Sequence, residues 1–175
     1  EYIDVADMLT ARCGLDHLAD FQRADASGLP FDDGAFDMVW CLNVTMNIGD
    51  RAGFYAEVKR VLKQGGKFCV SELGQGPGGE PYYPLPWASD PSHSFLVPPG
   101  DMRAQLEAAG FRIAEWVDET QARKDADGRP VADVSAGQLS IMVTRGDDYP
   151  VRRANSGKSI REDRLTNIKL VALRV

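Results

Sequence analysis

At 175 residues, 43% of them hydrophobic, and with a formal net charge of -6, the chain has material for one ordinary core and lacks the clustered positive charge that phosphate-backbone binding requires. Nucleic acid is therefore disfavoured as a partner, and the expectation is a single domain over 1–175. No run of about 18 apolar residues is present, nor a basic-then-apolar leader, so nothing points to a membrane and the expected location is cytoplasmic.

Cys13, Cys41 and Cys69 are widely spaced and form no C-x-x-C pair, so they read as reduced core thiols. No His/Cys/carboxylate cluster has metal-ligand spacing, and no metal is expected. The chain opens on Glu1 rather than Met and runs straight into amphipathic sequence, which reads as a start within a longer protein.

In chain order, Tyr2, Ile3, Ala6, Leu9 and Cys13 recur at near-helical spacing and Gly14 stands at the C-cap, predicting a first helix. "LADFQRAD", residues 18–25, reads as a short strand ending at Asp25. The Asp32-Asp33-Gly34 turn then leads into "FDMVWCLNV", a continuous apolar run suited to a strand covered on both faces. Asp50 caps a predicted helix through "RAGFYAEVKRVLK", with Phe54, Val58, Val61 and Leu62 on its inner stripe and Glu57, Lys59 and Lys63 facing out. Gln64-Gly65-Gly66 stops it before a buried strand, "KFCVSE". This order of strand, helix and strand is the mark of a right-handed parallel crossover, so the class is α/β.

Residues 73–99 change character to Gly and Pro punctuated by aromatics. So long a segment is usually a binding loop or disordered. Pro98 and Pro99 suit the first turn of a helix, "GDMRAQLEAAG", and "FRIAEWV" alternates like a strand. Residues 118–163 form a variable insertion in which "QLSIMVTRG" fits helix or strand and "DDYPVRRANSGKSIRED" reads as a helix broken by turns. The basic residues Arg152, Arg153, Lys158, Arg161 and, just beyond it, Arg164 are interrupted by Glu162 and Asp163 and read as a solvated helix face. "RLTNIKLVALRV" closes the chain as a strand.

In an open α/β sheet, ligands bind beyond the carboxyl ends of the strands, where Asp25, Asn43 and Glu72 are all expected. Asp25 can accept from an exocyclic ring amine, with the Ala26 amide beside it and Leu29 over the ring. Alternatively, Asp25 only starts an Asx-turn. Glu72 can orient an acceptor amine or bond to backbone as a strand-end carboxylate. Tyr82, Tyr83 and Trp87 either wall a cationic or planar acceptor or fasten the loop to the core. His93 is a candidate base for a hydroxyl or carbon acceptor, against a solvent-facing loop role, and His17 sits in a turn.

"DASGLPFDDGAFDMVW", "MNIGDRAGFYAEVKRVLKQGGKF" and "LEAAGFRIAEW" occur in the order and spacing of a known family. The chain resembles the class I S-adenosylmethionine-dependent methyltransferases, nearest to the small-molecule branch with the quinone-biosynthesis and glycine/sarcosine/dimethylglycine enzymes. The resemblance covers residues 1–117 and the last strand. It implies a Rossmann-like sheet with helices on both faces, an antiparallel C-terminal strand, and methyl transfer from S-adenosylmethionine to a small-molecule acceptor.

By resemblance Asp25 binds the adenine amine and Ala26 the ring edge, while Asn43, Val44 and Asn47 approach the methionine part. Gln64 stands where the family's P-G-G turn has Pro. The family's first strand with its Gly-rich turn, and its second strand with the ribose-binding acid, find no match, because reading "YIDV" as that second strand leaves too short an interval from Asp4 to Asp25. The expectation is therefore a piece of a longer protein, or a short form that borrows a wall, with a homodimer as one way to hide open strands. A non-catalytic module acting through dimerisation or partner binding is the competing reading.

Overall fold

Phe68, Val70 and Glu72 alternate to one side of a strand, and Lys67, Cys69 and Ser71 to the other. This strand is the spine of the sheet. The computed structural model describes residues 1–127 and 145–175. In chain order they form α1 (Tyr2–Arg12), β1 (Phe36–Leu42), α2 (Arg51–Val61), β2 (Leu62–Gln75), α3 (Pro99–Ala108), β3 (Phe111–Asp118), α4 (Thr120–Asp127), α5 (Tyr149–Arg161) and β4 (Leu165–Arg174). Short 3₁₀ turns stand at Thr45–Asn47 and Pro91–His93.

The sheet order is β1-β2-β4-β3. β1 and β2 are parallel, and β4 inserts antiparallel to both β2 and β3. Asp50 starts α2 by accepting from the Gly53 amide at 2.9 Å, which satisfies one of the free N–H groups of the first turn. β2 follows directly, and its early irregularity against β1 includes Gly65, whose φ of +74° suits a residue without Cβ. α3 stops before Gly110, at φ +84°.

α2 and α3 cover one sheet face. Phe54, Tyr55 and Val58 from α2 and Met102 and Leu106 from α3 pack against Cys41, Phe68, Val70, Ile168, Leu170 and Ala172. Phe68 is fully buried, with ring centroids 5.7 Å from Phe111 and 6.1 Å from Phe54. Truncating such a side chain costs about 3–5 kcal/mol. A second cluster, Met46, Leu73, Leu85, Ile160 and Leu165, joins the Gly/Pro loop and α5 to the carboxyl end of β2. On the opposite sheet face Trp40 is 68% exposed beside Met38 and Leu42.

Four expectations are corrected. Residues 18–25 do not form a strand; the only pairing there is an isolated bridge between Asp25 and Gly28. A strand needs a neighbour's N–H and C=O groups, and no described strand lies alongside. Cys13 is exposed and Cys69 half-buried, so only Cys41 is a core thiol. β1, expected to be covered on both faces, leaves Met38, Trp40 and Leu42 exposed on one of them. The basic face of α5 is not simply solvated, since Arg152 donates to the Leu85 carbonyl at 2.8 Å and Arg164, just beyond it, to that of Glu80 at 2.7 Å. The predicted helix or strand at "QLSIMVT" lies outside the described residues.

Candidate functional site

β1 ends at Leu42, and the chain reverses through Asn43, whose φ is +55°. Asn is among the few residues that adopt this left-handed conformation readily. The Asn43 amide still reaches back to the Ser71 carbonyl at 2.9 Å. Beyond it the turn is held from β2: Glu72 Oε1 accepts from the amides of Val44 at 2.7 Å and Thr45 at 3.0 Å, and from Cys41 Sγ at 3.4 Å. Glu72 is fully buried, and its Oε2 has no hydrogen-bond partner. Desolvation raises its pKa above the usual glutamate value, opposed by the Thr45 and Val44 amides. Burial, together with this carboxylate, also pushes the Cys41 thiol upward. Asn43, Val44 and Asn47 are left exposed above the buried carboxylate, and Asn47 Nδ2 closes the turn onto the Val44 carbonyl at 3.2 Å.

Asp25 sits in a different setting. Its Oδ1 accepts from the Ser27 amide at 2.8 Å and the Ser27 hydroxyl at 2.7 Å, an Asx-turn on the protein surface. Those two bonds, the hydroxyl first, hold its pKa below the usual aspartate value. Ala26 packs against the main core, and Ala26 and Leu29 line a cavity of about 480 Å³ with Phe31 and Phe36.

This segment is tied to α2 by a network that helix-face reasoning misses. Glu57, expected to face out, accepts from the Leu29 amide at 2.7 Å. Arg60 donates to the carbonyls of Leu29 at 3.1 Å and Phe31 at 2.7 Å, to Asp33 at 2.7 Å, and to Glu57. The Arg60 guanidinium lowers the Glu57 carboxyl pKa, and the two carboxylates raise that of Arg60.

The aromatic residues of the Gly/Pro loop divide. Tyr82 carries Lys158 Nζ at 3.8 Å and Arg164 Cζ at 4.4 Å from its ring centroid, and its hydroxyl donates to Glu162 at 2.7 Å. Its ring is engaged in fastening the loop. Tyr83 and Trp87 pack beside the second cluster, and Trp87 Nε1 donates to Ser94 Oγ at 3.1 Å. His93 is exposed in a surface turn with Ser92 Oγ at 3.0 Å and Asp90 Oδ1 at 3.4 Å, and His17 lies exposed after α1.

Arg51 is a site residue that sequence reasoning passes over. It is 5% exposed and donates to the Tyr55 hydroxyl at 3.3 Å and the Phe95 carbonyl at 2.8 Å. Its signal is the i, i+4, i+7 stripe Arg51, Tyr55, Val58 on the face of α2 that meets the core. Among the described residues no cluster of three His, Cys, Asp or Glu side chains could hold a metal ion, and no helix is long and apolar enough to cross a membrane.

Residues 1–70 match the family model of the methyltransferase domain. The sarcosine/dimethylglycine N-methyltransferase of Halorhodospira halochloris is 37% identical over 155 residues, which cover 82% of this chain and 55% of that protein. This chain belongs to the class I methyltransferases. Two solved structures share the fold. A geranyl diphosphate methyltransferase in complex with SAM superposes at a TM-score of 0.75, with 17% identity, over 99% of this methyltransferase chain and 64% of that one. The [4+2]-cyclase SpnF does so at 0.71, with 24% identity, over 98% and 62%. At such identities the likeness is one of fold alone. The chain spans from about a fifth to just over half the length of the curated relatives it matches.

Proposed function

We propose that the protein transfers a methyl group from S-adenosylmethionine to a small-molecule acceptor, with the donor at the carboxyl edge of β1 and the acceptor toward the Gly/Pro loop. The observation that carries this reading is the turn at 43–47, presented outward by the buried Glu72 carboxylate at the end of a parallel strand, where open α/β sheets bind their ligands.

The residues present suit part of this donor. Ala26 and Leu29, with Phe31 and Phe36, give an apolar wall to a cavity of about 480 Å³ that Asp20 and Gln22 also line, a surface on which a flat ring could lie. Asp25 keeps Oδ2 for an exocyclic amine while Oδ1 is engaged by Ser27. Asn43, Val44 and Asn47 stand exposed where the methionine portion would lie. When bound, S-adenosylmethionine supplies a methyl on a cationic sulfonium, an electrophile that calls for an aligned nucleophile in a site poor in water.

This chain's residues serve that need by holding and drying the site. Tyr83 and Trp87 present aromatic surface on the loop side and suit a compact, cationic or planar acceptor. Tyr82, with two cations on its ring, acts through loop anchoring. Glu72 commits Oε1 to the turn, so its role is to shape the wall. A neutral amine acceptor needs no strong base, in keeping with the surface position of His93. One relative that matches most of this chain is named for sarcosine and dimethylglycine, which makes small N-methylated amino acids the first acceptors to offer. Three free cysteines fit a reducing, cytoplasmic setting.

The test is incubation with S-adenosylmethionine and sarcosine or dimethylglycine, followed by mass spectrometry of S-adenosylhomocysteine and the methylated amine. Stoichiometric appearance of both supports the reading. S-adenosylhomocysteine binding without turnover on either amine keeps the donor site and rejects this acceptor class.

A further inference from the structure

Residues 76–98 and the turn at 43–47 meet in the cluster of Met46 and Leu85, and are joined by hydrogen bonds at Phe95. The Phe95 amide donates to the Met46 carbonyl at 2.8 Å, and the Phe95 carbonyl accepts from Arg51 Nη2 at 2.8 Å. Gly49 lies so close to the Phe95 ring that a Cβ there would sit 3.2 Å from it. Residue 95 is thus gripped on both sides of its peptide unit, by the turn and by the first residue of α2.

Arg51 is an unusual choice for a packing residue. Burying a guanidinium is costly unless it is paired, and no carboxylate among the described residues pairs with it. Its partners are a tyrosine hydroxyl and a carbonyl, and Nε has none. An apolar side chain would fill the same space at lower cost, so the cation is accounted for by what it holds. Tyr55, its other partner, feels both Arg51 and Glu72: burial raises its pKa, Arg51 opposes that, and the Glu72 charge adds to it. The turn is therefore held from β2 by a buried carboxyl group and linked to the loop by a cation, with Tyr55 near both.

We propose that Arg51 is a positioning residue that couples the two halves of the site, so that occupancy of the donor turn at 43–47 orders the acceptor-side loop at Phe95. This rests on the donor reading given above. Cofactor bound against Val44 and Asn47 stabilises the turn, the Met46 carbonyl is fixed with it, and Arg51 holds Phe95 in register with that carbonyl. Without the guanidinium, Phe95 keeps one main-chain bond to the turn beside the Met46 packing, and the loop end at Phe95 separates from the turn more often.

The experiment is amide exchange, read by mass spectrometry on peptides covering 43–48 and 94–98, for wild type, Arg51→Lys and Arg51→Met, each with and without S-adenosylhomocysteine. In wild type, S-adenosylhomocysteine slows exchange in both peptides. In Arg51→Met it still slows the 43–48 peptide, while the 94–98 peptide exchanges about tenfold faster and no longer responds. Arg51→Lys, which retains the charge but not the two-pronged donor, recovers part of the response. A merely structural role would speed exchange throughout α2 and leave the ligand response of 94–98 intact, and that result overturns the proposal. Protection confined to 43–48 in wild type also overturns it. Absence of protection anywhere in wild type overturns instead the donor reading on which the coupling rests.

Discussion

Glu72 and Asp25 each fold a carboxylate onto a turn, each accepting main-chain and side-chain donors, yet one is fully buried and the other lies on the surface. The burial reverses the electrostatics. Desolvation raises the Glu72 pKa despite two amide donors, while Ser27 alone suffices to lower that of Asp25. A buried carboxylate can specify a backbone shape because nothing else competes for its oxygens, whereas an exposed one keeps an oxygen free for a ligand. The first is built to hold a wall and the second to make contact.

The largest effect that would break this contrast is at Glu72. Glu72→Ala leaves the Val44 and Thr45 amides without their acceptor and should cost about 2–4 kcal/mol in urea denaturation, whereas Glu72→Gln, which keeps an acceptor oxygen, should cost about 1 kcal/mol or less. An alanine variant as stable as wild type would mean the turn holds itself.

The pH dependence sharpens the comparison, since the two groups carry opposite signs. Glu72 is raised from 4.5, so its contribution is fully present below that pH and is lost as pH rises through its folded value. Wild type should therefore lose stability relative to Glu72→Gln as pH rises above 4.5. Asp25 is lowered from 3.8, so its contribution is present above that pH and is lost as pH falls through its folded value. Wild type and Asp25→Asn should converge only in that acid range. Denaturation curves of the three proteins across both windows check both signs.

A smaller effect is expected where Glu57 and Arg60 tether the Asp25 segment. Glu57→Ala should speed exchange of the Leu29 amide about tenfold while leaving the Val44 amide unchanged. The smallest effect on the fold belongs to Asp25→Ala, which loses only the surface bonds to Ser27 and should lower the melting temperature slightly at neutral pH, its main effect registering when ligand is added.

Most of the fold is legible in the sequence because its signals are periodic. "FDMVWCL", the α2 stripe and the alternation through Phe68 and Val70 each fall where β1, α2 and β2 form. The alternation even places Glu72 on the core face, which separates its two sequence readings. "LADFQRAD" has the composition of a strand but, among the described residues, no strand beside it, and pairing is not a local property. Tyr82 is equally opaque, since the residues that occupy its ring, Lys158 and Arg164, lie far along the chain. The Glu57 and Arg60 network was hidden for a related reason. Helical periodicity marks the face turned from the core, but not that residues 29–33 return to cover it.

The measurement that tests the central claim most directly is isothermal titration of S-adenosylhomocysteine into wild type and Asp25→Ala. The account predicts micromolar binding to wild type and binding about tenfold weaker to the variant, the loss expected for one hydrogen bond, with both proteins folded at the temperature of the titration. No heat from folded wild type, or equal affinity in the two proteins, would contradict it.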